Sequence, residues 1–463
     1  MTPLATAEPR LAKSRPAGRR FSVVEELTCC YDRPAEPANV HLEVRLPGWC
    51  DRAAFRAAVL AVLAARPQVS VRRAAAGRWQ RSSRWEHAPV LDTDPVRVLA
   101  WADQADLAGQ RAAFLSESPA LDQSPPVRFL LAAGPDGDHV ILNAHHAVLD
   151  GLSCLGLLRA VARQYSELIG SPTGEARPVA PDGKTGGRAG GARASAVRPG
   201  PGPAADDRAA VRVRRFSPIA RIAGQPDSAV PGPRPGYGAC LLTWDEMPVA
   251  ADRLRPLGAS VNDLLITAMM ITISRWNDCA GRSAGRIRIT MPVGDRILQS
   301  ADGAWGNGSR LTAVTARAPA GAAVSDLLAE VARQTRYAKE HPGPQVDLAS
   351  RALAAAPVPV SAKRQLLAAA LRVAGPLFCD TSLVSNLGIV EPLWFGPLPV
   401  TEIWFSTSAH MPRGLSLGAA TVGGRLGLAF RYRHALLADA AAAEFARLYL
   451  GVLSSFADQE SSG

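Results

Sequence analysis

The chain has 463 residues, 47% of them apolar, with 52 basic against 41 acidic side chains and a net charge of +11. That length exceeds one ordinary hydrophobic core and predicts two domains of a globular protein. No apolar run has the length of a membrane-spanning helix and residues 1–20 lack the apolar core of a secretory leader, so no membrane span and a cytoplasmic location are expected. The seven cysteines show no C-x-x-C spacing and an odd total, which argues against both a zinc site and a disulfide framework. The excess of positive charge is localised. Residues 170–235 hold eleven arginines and lysines against five acids, in a stretch dominated by Gly, Pro, Ala and Arg. Such a composition buries too little apolar surface to fold and reads as a flexible linker over 170–236. With only four lysines in the chain, the basicity follows arginine-rich codon usage, and no nucleic-acid partner is expected. A second reading stays open, in which basic surface attracts acidic carrier proteins.

Residues 1–20 read as a flexible lead-in. Asn39-Val40-His41-Leu42-Glu43-Val44-Arg45-Leu46 alternates as a strand, and residues 53–63 form a helix that Pro67 ends. His139-Val140-Ile141-Leu142-Asn143-Ala144 is an apolar run of strand length. Past Gly151 the period becomes helical, with Leu152, Leu155, Leu158, Val161 and Ala162 at spacings of three and four. The second half opens with a strand near Ala239-Cys240-Leu241-Leu242-Thr243-Trp244. Either Ser260 or Asn262 caps a helix after it, and residues 414–420 and 425–432 make paired strands before a closing helix at 438–450. Strands and helices mix without strict alternation. An α+β fold with mixed sheets and flanking helices follows, in two halves at 21–169 and 237–463.

Between the 139–144 strand and its helix stands His145-His146-Ala147-Val148-Leu149-Asp150-Gly151. Histidine titrates near neutrality and suits proton transfer. Asp150 sits where a helix N-cap belongs, and Gly151 permits a sharp turn. Adjacent strand residues face opposite sides, so the two imidazoles seldom serve one metal ion; one faces the reaction space and the other packs inward. The bland alternative, a buried pair satisfied by backbone carbonyls or half of a metal site, is outweighed because the spacing, the strand before and the helix after all agree. Cys154, on the helix behind the motif, is more simply a small buried hydrophobe than a nucleophile.

The motif resembles the H-H-x-x-x-D-G signature of the acyltransferase superfamily related to chloramphenicol acetyltransferase. That superfamily includes condensation domains of nonribosomal peptide synthetases, wax ester synthase/diacylglycerol acyltransferases and polyketide-associated acyltransferases. The resemblance extends to Ser260-Val261-Asn262-Asp263, to Pro292-Val293-Gly294-Asp295-Arg296, to Gly306-Asn307-Gly308-Ser309 and to Ser385-Asn386-Leu387-Gly388. It implies two chloramphenicol-acetyltransferase-like lobes in a V around a tunnel. It makes His146 catalytic, with His145, Asp150 and Gly151 shaping its loop. The family's "R-x-P" turn is similar to Arg66-Pro67-Gln68, but Ser70 stands where an arginine usually braces the motif aspartate, and Arg72 is the nearest substitute. Ser385, Asn386 and His410 become candidate tunnel-lining residues, His410 equally well an idle loop histidine. The implied reaction moves an acyl group from coenzyme A, or from phosphopantetheine on an acyl or peptidyl carrier protein, to an alcohol or amine. No metal and no tightly held cofactor are implied. The rival readings are a wax ester or diacylglycerol-type acyl-CoA O-acyltransferase and a non-catalytic carrier-binding relative.

Overall fold

In a computed structural model of the protein, the residues described are 18–34, 36–75, 77, 79–170, 219–226, 236–282, 285–293, 306–308, 310–319, 321, 323–341, 343 and 348–458. Most of the expected lead-in and linker, together with Gly294, Asp295, Arg296 and Ser309, lies outside them.

The first half runs α1 (Val23–Tyr31), β1 (Asn39–Arg45), α2 (Arg52–Ala64), β2 (Val71–Arg73), β3 (Trp85–His87), β4 (Val96–Ala100), α3 (Gln104–Leu115), β5 (Val127–Gly134), β6 (Gly137–His145) and α4 (Gly151–Leu168). The second continues with β7 (Tyr237–Trp244), α5 (Met247–Leu254), α6 (Val261–Cys279), β8 (Arg286–Val293), β9 (Arg310–Arg317), α7 (Val324–Glu340), α8 (Leu348–Ala355) and α9 (Val360–Phe378). It closes with β10 (Ser382–Ile389), β11 (Trp394–Phe395), β12 (Leu398–Pro399), β13 (Glu402–Thr407), β14 (Leu415–Val422), β15 (Arg425–Arg433) and α10 (Asp439–Asp458). Helix starts follow from side-chain chemistry. Asp51 accepts the Ala54 N–H at 2.7 Å ahead of α2, and Ser260, not Asn262, caps α6 in a reciprocal box with Asp263.

Two mixed sheets result, one of five strands in the order β13-β1-β6-β5-β4 and one of six in the order β7-β15-β14-β10-β8-β9. β4 and β5 are parallel, as are β8, β10 and β14; the other neighbours are antiparallel. β13 belongs to residues 237–463 by sequence, yet it pairs with β1 in the first sheet, Thr407 opposite Val40 and Glu402 opposite Arg45.

Alternation along β6 sorts its side chains. Val140, Leu142 and Ala144 enter the core that α2 and α4 cover, while Ile141 packs with Leu107, Phe114 and Leu115 of α3. His139, Asn143 and His145 share the Ile141 face, which therefore carries a buried polar row. Asn143 and Asn39 donate to the Phe114 and Leu115 carbonyls at 2.8 and 3.0 Å, satisfying the C-terminal end of α3. Beside them Glu43 takes two N–H groups of Arg111 (2.6 and 2.7 Å), His139 Nδ1–H at 2.8 Å and His41 Nε2–H at 3.1 Å. Burial alone would raise the Glu43 pKa. The Arg111 charge and the histidine donors overcome it and hold the carboxyl well below its usual range.

The second sheet approaches β13 at two glycines. A Cβ on Gly418 would sit 1.7 Å from the Phe405 carbonyl oxygen, and one on Gly427 1.8 Å from that of Ile403. Only glycine permits backbones to pass that closely.

Candidate active site

His145 ends β6, and His146 opens the turn that leads into α4. The turn is held by backbone bonds: His146 N–H donates to the Ala38 carbonyl at 2.8 Å and Val148 N–H to that of His145 at 2.9 Å. Asp150 is the N-cap of α4, its Oδ1 accepting the Ser153 N–H at 2.9 Å. A segment distant in sequence closes over it. Asn307 Nδ2 donates to the His146 carbonyl at 2.9 Å, Gly308 N–H to Asp150 Oδ2 at 3.2 Å, and Ser153 Oγ to the Gly306 carbonyl at 2.9 Å. Gly151 is pressed by two further strands, since a Cβ there would lie 2.6 Å from Phe405 on β13 and 2.8 Å from Leu387 on β10. The motif thus sits where segments of both halves converge.

The two imidazoles have different surroundings. His146 is half-buried, and its Nδ1 lies 3.1 Å from the Leu149 carbonyl. A carbonyl only accepts, so Nδ1 carries the hydrogen and Nε2 keeps its lone pair; no described residue hydrogen-bonds to it. Burial lowers the His146 pKa, against smaller opposing effects of the Leu149 carbonyl and the Asp150 charge. The neutral imidazole, a base, is the form present at pH 7. His145 is fully buried, and its Nδ1 accepts the Ala147 N–H at 3.0 Å. Its Nε2 therefore bears the hydrogen and faces Asp32 Oδ2 at 3.5 Å. Asp32, at the C-cap of α1, also accepts from Ala38 N–H (2.9 Å) and Ser118 Oγ (2.7 Å). Burial pushes the Asp32 carboxyl up, but His145 and these donors outweigh it and hold the group below its ordinary range. Sequence reasoning missed Asp32; an acid just after a short helix carries no local mark of a distant histidine partner.

The brace expected at Arg72 is a correction. Among the described residues β2 pairs with β3 alone, with Arg72 opposite Glu86, and the guanidinium is taken by Glu86 at 2.8 Å and Asp92 at 2.9 Å. Ser70, at the usual arginine position, instead donates its hydroxyl to the Leu63 carbonyl at 2.7 Å and finishes α2. His410 is half-buried, its ring 5.7 Å from that of Tyr31, and its Nε2–H donates to the Glu36 carbonyl at 3.1 Å. Burial drives its pKa down to about 3, so the ring is neutral. Ser385 and Asn386 lie within β10; Ser385 is buried, and Asn386 Oδ1 accepts the Gly388 N–H at 2.8 Å. Cys154 is fully buried, and burial with the nearby Asp150 charge raises its pKa well above the ordinary thiol value, which keeps it a protonated thiol. Among the described residues, no helix is long and apolar enough to cross a membrane.

No protein-family model matches the sequence. The first condensation domain of the calcium-dependent antibiotic synthetase, in complex with a substrate analogue, superposes with a TM-score of 0.64 at 13% identity, covering 96% of this chain and 98% of that one. The starter condensation domain of rhizomide synthetase in complex with C8-CoA gives a TM-score of 0.60 at 16% identity, covering 95% of each chain. These likenesses establish the condensation-domain fold. A protein of Mycobacterium tuberculosis (strain ATCC 25618 / H37Rv), "Uncharacterized protein Rv2305", is 30% identical over 444 residues, 94% of this chain and 98% of the relative. Kinship along nearly the whole of both chains places this protein in the family of that mycobacterial protein, built on the condensation-domain fold.

Proposed function

We propose that this protein is a condensation-type acyltransferase, moving an acyl group from a thioester to a hydroxyl or amine in natural-product biosynthesis. The observation that carries the reading is His146 itself, neutral, with Nδ1–H committed to the Leu149 carbonyl and Nε2 left as a base. In the proposed reaction His146 Nε2 takes the acceptor's proton as its oxygen or nitrogen attacks the thioester carbonyl. The new C–O or C–N bond forms, the C–S bond breaks, and the proton passes from His146 to the departing thiolate. No covalent acyl-enzyme is required, in keeping with a protonated, buried Cys154. His145, Asp150 and Gly151 keep the loop in place, and the two lobes, 21–169 and 237–463, flank the tunnel through which donor and acceptor reach His146. The donor thioester is carried on coenzyme A or on phosphopantetheine of a carrier protein.

The test offers panels of acyl-coenzyme A and acyl-carrier donors, with alcohols and amines, to the wild type and to His146→Ala. Loss of a charge-neutral general base is expected to cut kcat by roughly 10²–10⁴. Wild-type turnover by the variant would remove the assignment, and a stable acyl adduct on Cys154 would remove direct transfer.

A further inference from the structure

Residues 306–308 belong to the second half of the chain, yet they lie across the start of α4 in the first. Most of their bonds are to the helix cap. The Gly306 carbonyl accepts Asp150 N–H at 3.1 Å and the Ser153 hydroxyl at 2.9 Å, Gly306 N–H donates to Ser153 Oγ at 3.1 Å, and Gly308 N–H to Asp150 Oδ2 at 3.2 Å. Those bonds seat the segment without the Asn307 side chain. Asn307 Nδ2 instead reaches past the cap to the His146 carbonyl, 2.9 Å away.

That carbonyl bears on the ring it belongs to. The main chain of His146 is held at N–H by the Ala38 carbonyl (2.8 Å) and at C=O by Asn307, which fixes the direction in which the side chain leaves the turn. Two carbonyls then act on the imidazole, that of Leu149, 3.1 Å from Nδ1, and its own; both favour a protonated ring. Which nitrogen keeps the hydrogen, and where the other points, follows from the bond the ring makes. A ring turned to its own carbonyl would carry Nε2 away from its present aim. An amide N–H lodged on that carbonyl competes for it and leaves Nδ1–H to Leu149.

We propose that Asn307 is the positioning residue of His146, the group through which the second half of the chain keeps the Nδ1–H form of the ring and aims Nε2. Its service to a base rests on the acyl-transfer reading above; its hold on the tautomer does not. The charged and titratable groups that act on the ring are Asp150 and His145, with Asp32 beyond His145, and substitution of Asn307 leaves all three in place.

Nitrogen-15 spectra of the full chain, labelled in its histidines, test the proposal, with His146→Ala identifying the signals of that ring. His145 is the internal comparison, because it holds the opposite tautomer one residue away, its Nδ1 accepting Ala147 N–H. At about pH 8, above the ordinary histidine range, wild-type His146 is expected to carry its hydrogen on Nδ1 alone. Asn307→Ala and the near-isosteric Asn307→Leu are expected to turn His146 into a mixture of tautomers while His145 is unchanged. With a donor that the wild type turns over, kcat is expected to fall about 10- to 100-fold with KM little changed. Ser153→Ala loosens the same segment and is expected to leave His146 in its Nδ1–H form. An undisturbed His146 in both Asn307 variants overturns the proposal, as does wild-type kcat despite a mixture. So does equal disturbance of His145 and His146, or a mixture in Ser153→Ala as large as in Asn307→Ala; either makes Asn307 a contact of the fold alone. If His146→Ala keeps full turnover while Asn307→Ala still mixes the tautomers, the general-base reading fails and the hold of Asn307 on the ring stands.

Discussion

His145 and His146 are one residue apart, yet their ring nitrogens are engaged in opposite senses. His145 Nδ1 accepts the Ala147 N–H, whereas His146 Nδ1 donates to the Leu149 carbonyl. His145 therefore fixes the turn from inside, and Asp32 keeps its tautomer by facing Nε2 at 3.5 Å. This makes Asp32 a positioning residue. Asp32→Asn retains an oxygen for the Ala38 N–H but removes the carboxylate that His145 faces. A reaction that depends on the aim of His146 is then expected to lose about 10- to 100-fold in kcat with KM little changed. Steady-state kinetics with the best donor checks this, and equal losses in kcat and stability would reduce Asp32 to a fold residue. At this scale the sequence spoke clearly where partners are close in sequence. The cap from Asp150 to Ser153 spans one helical turn and was legible. Arg72 was misassigned because its partners Glu86 and Asp92 follow from strand pairing, which residue spacing does not encode.

The elements around the site were mostly readable from periodicity. α2, β1, β6, α4 and the β14–β15 pair lie close to where apolar spacing put them, since period and caps act within a few residues. α10 runs on to Asp458, well past the expected 450, because the apolar face that Phe445 and Tyr449 bury against Phe430 continues through Val452, Leu453 and Phe456. β13 was not foreseen as a member of the first sheet. Its place rests on Gly418 and Gly427, which let β14 and β15 come against its backbone. Gly427→Val would drive a side chain into the Ile403 carbonyl, and overpacking against rigid backbone is expected to cost about 3 kcal/mol or more. Urea unfolding reads the effect as a lowered midpoint; an unchanged midpoint would mean that β15 moves freely away from β13.

The whole molecule carries several titratable groups in its interior; three histidines and two carboxylates weaken it in acid, against an opposing effect of Glu26 and Asp138, whose carboxyls burial pushes up. Burial lowers the pKa of His41, of His146 and of His410, the last to about 3. Each binds a proton more weakly when folded than when unfolded, so the unfolded chain gains protons first as pH falls below about 6.5. Stability is thus full above that pH and declines beneath it, by up to about 1.4 kcal/mol per pH unit for each histidine until the folded value is passed. Asp32 and Glu43, held below the usual carboxylate range, add a further loss once pH drops below about 4. Urea midpoints measured from pH 8 to pH 4 are expected to be flat to near 6.5 and then to fall. A midpoint constant to pH 5 would contradict neutral burial of these histidines.

The sequence by itself determined what neighbours along the chain decide: a strand, a turn with two histidines, an aspartate cap and a helix, the local frame on which the proposal of His146 as a base rests. Those features depend on hydrogen bonds and apolar spacing within one or two turns of chain. The tertiary structure alone decided that Asp32 faces His145, that the Gly306–Gly308 segment closes over Asp150, and that β13 joins the first sheet beneath glycines of the second. Such contacts join residues more than a hundred positions apart, and they exist only once both sheets are packed and each buried polar group has found its partner.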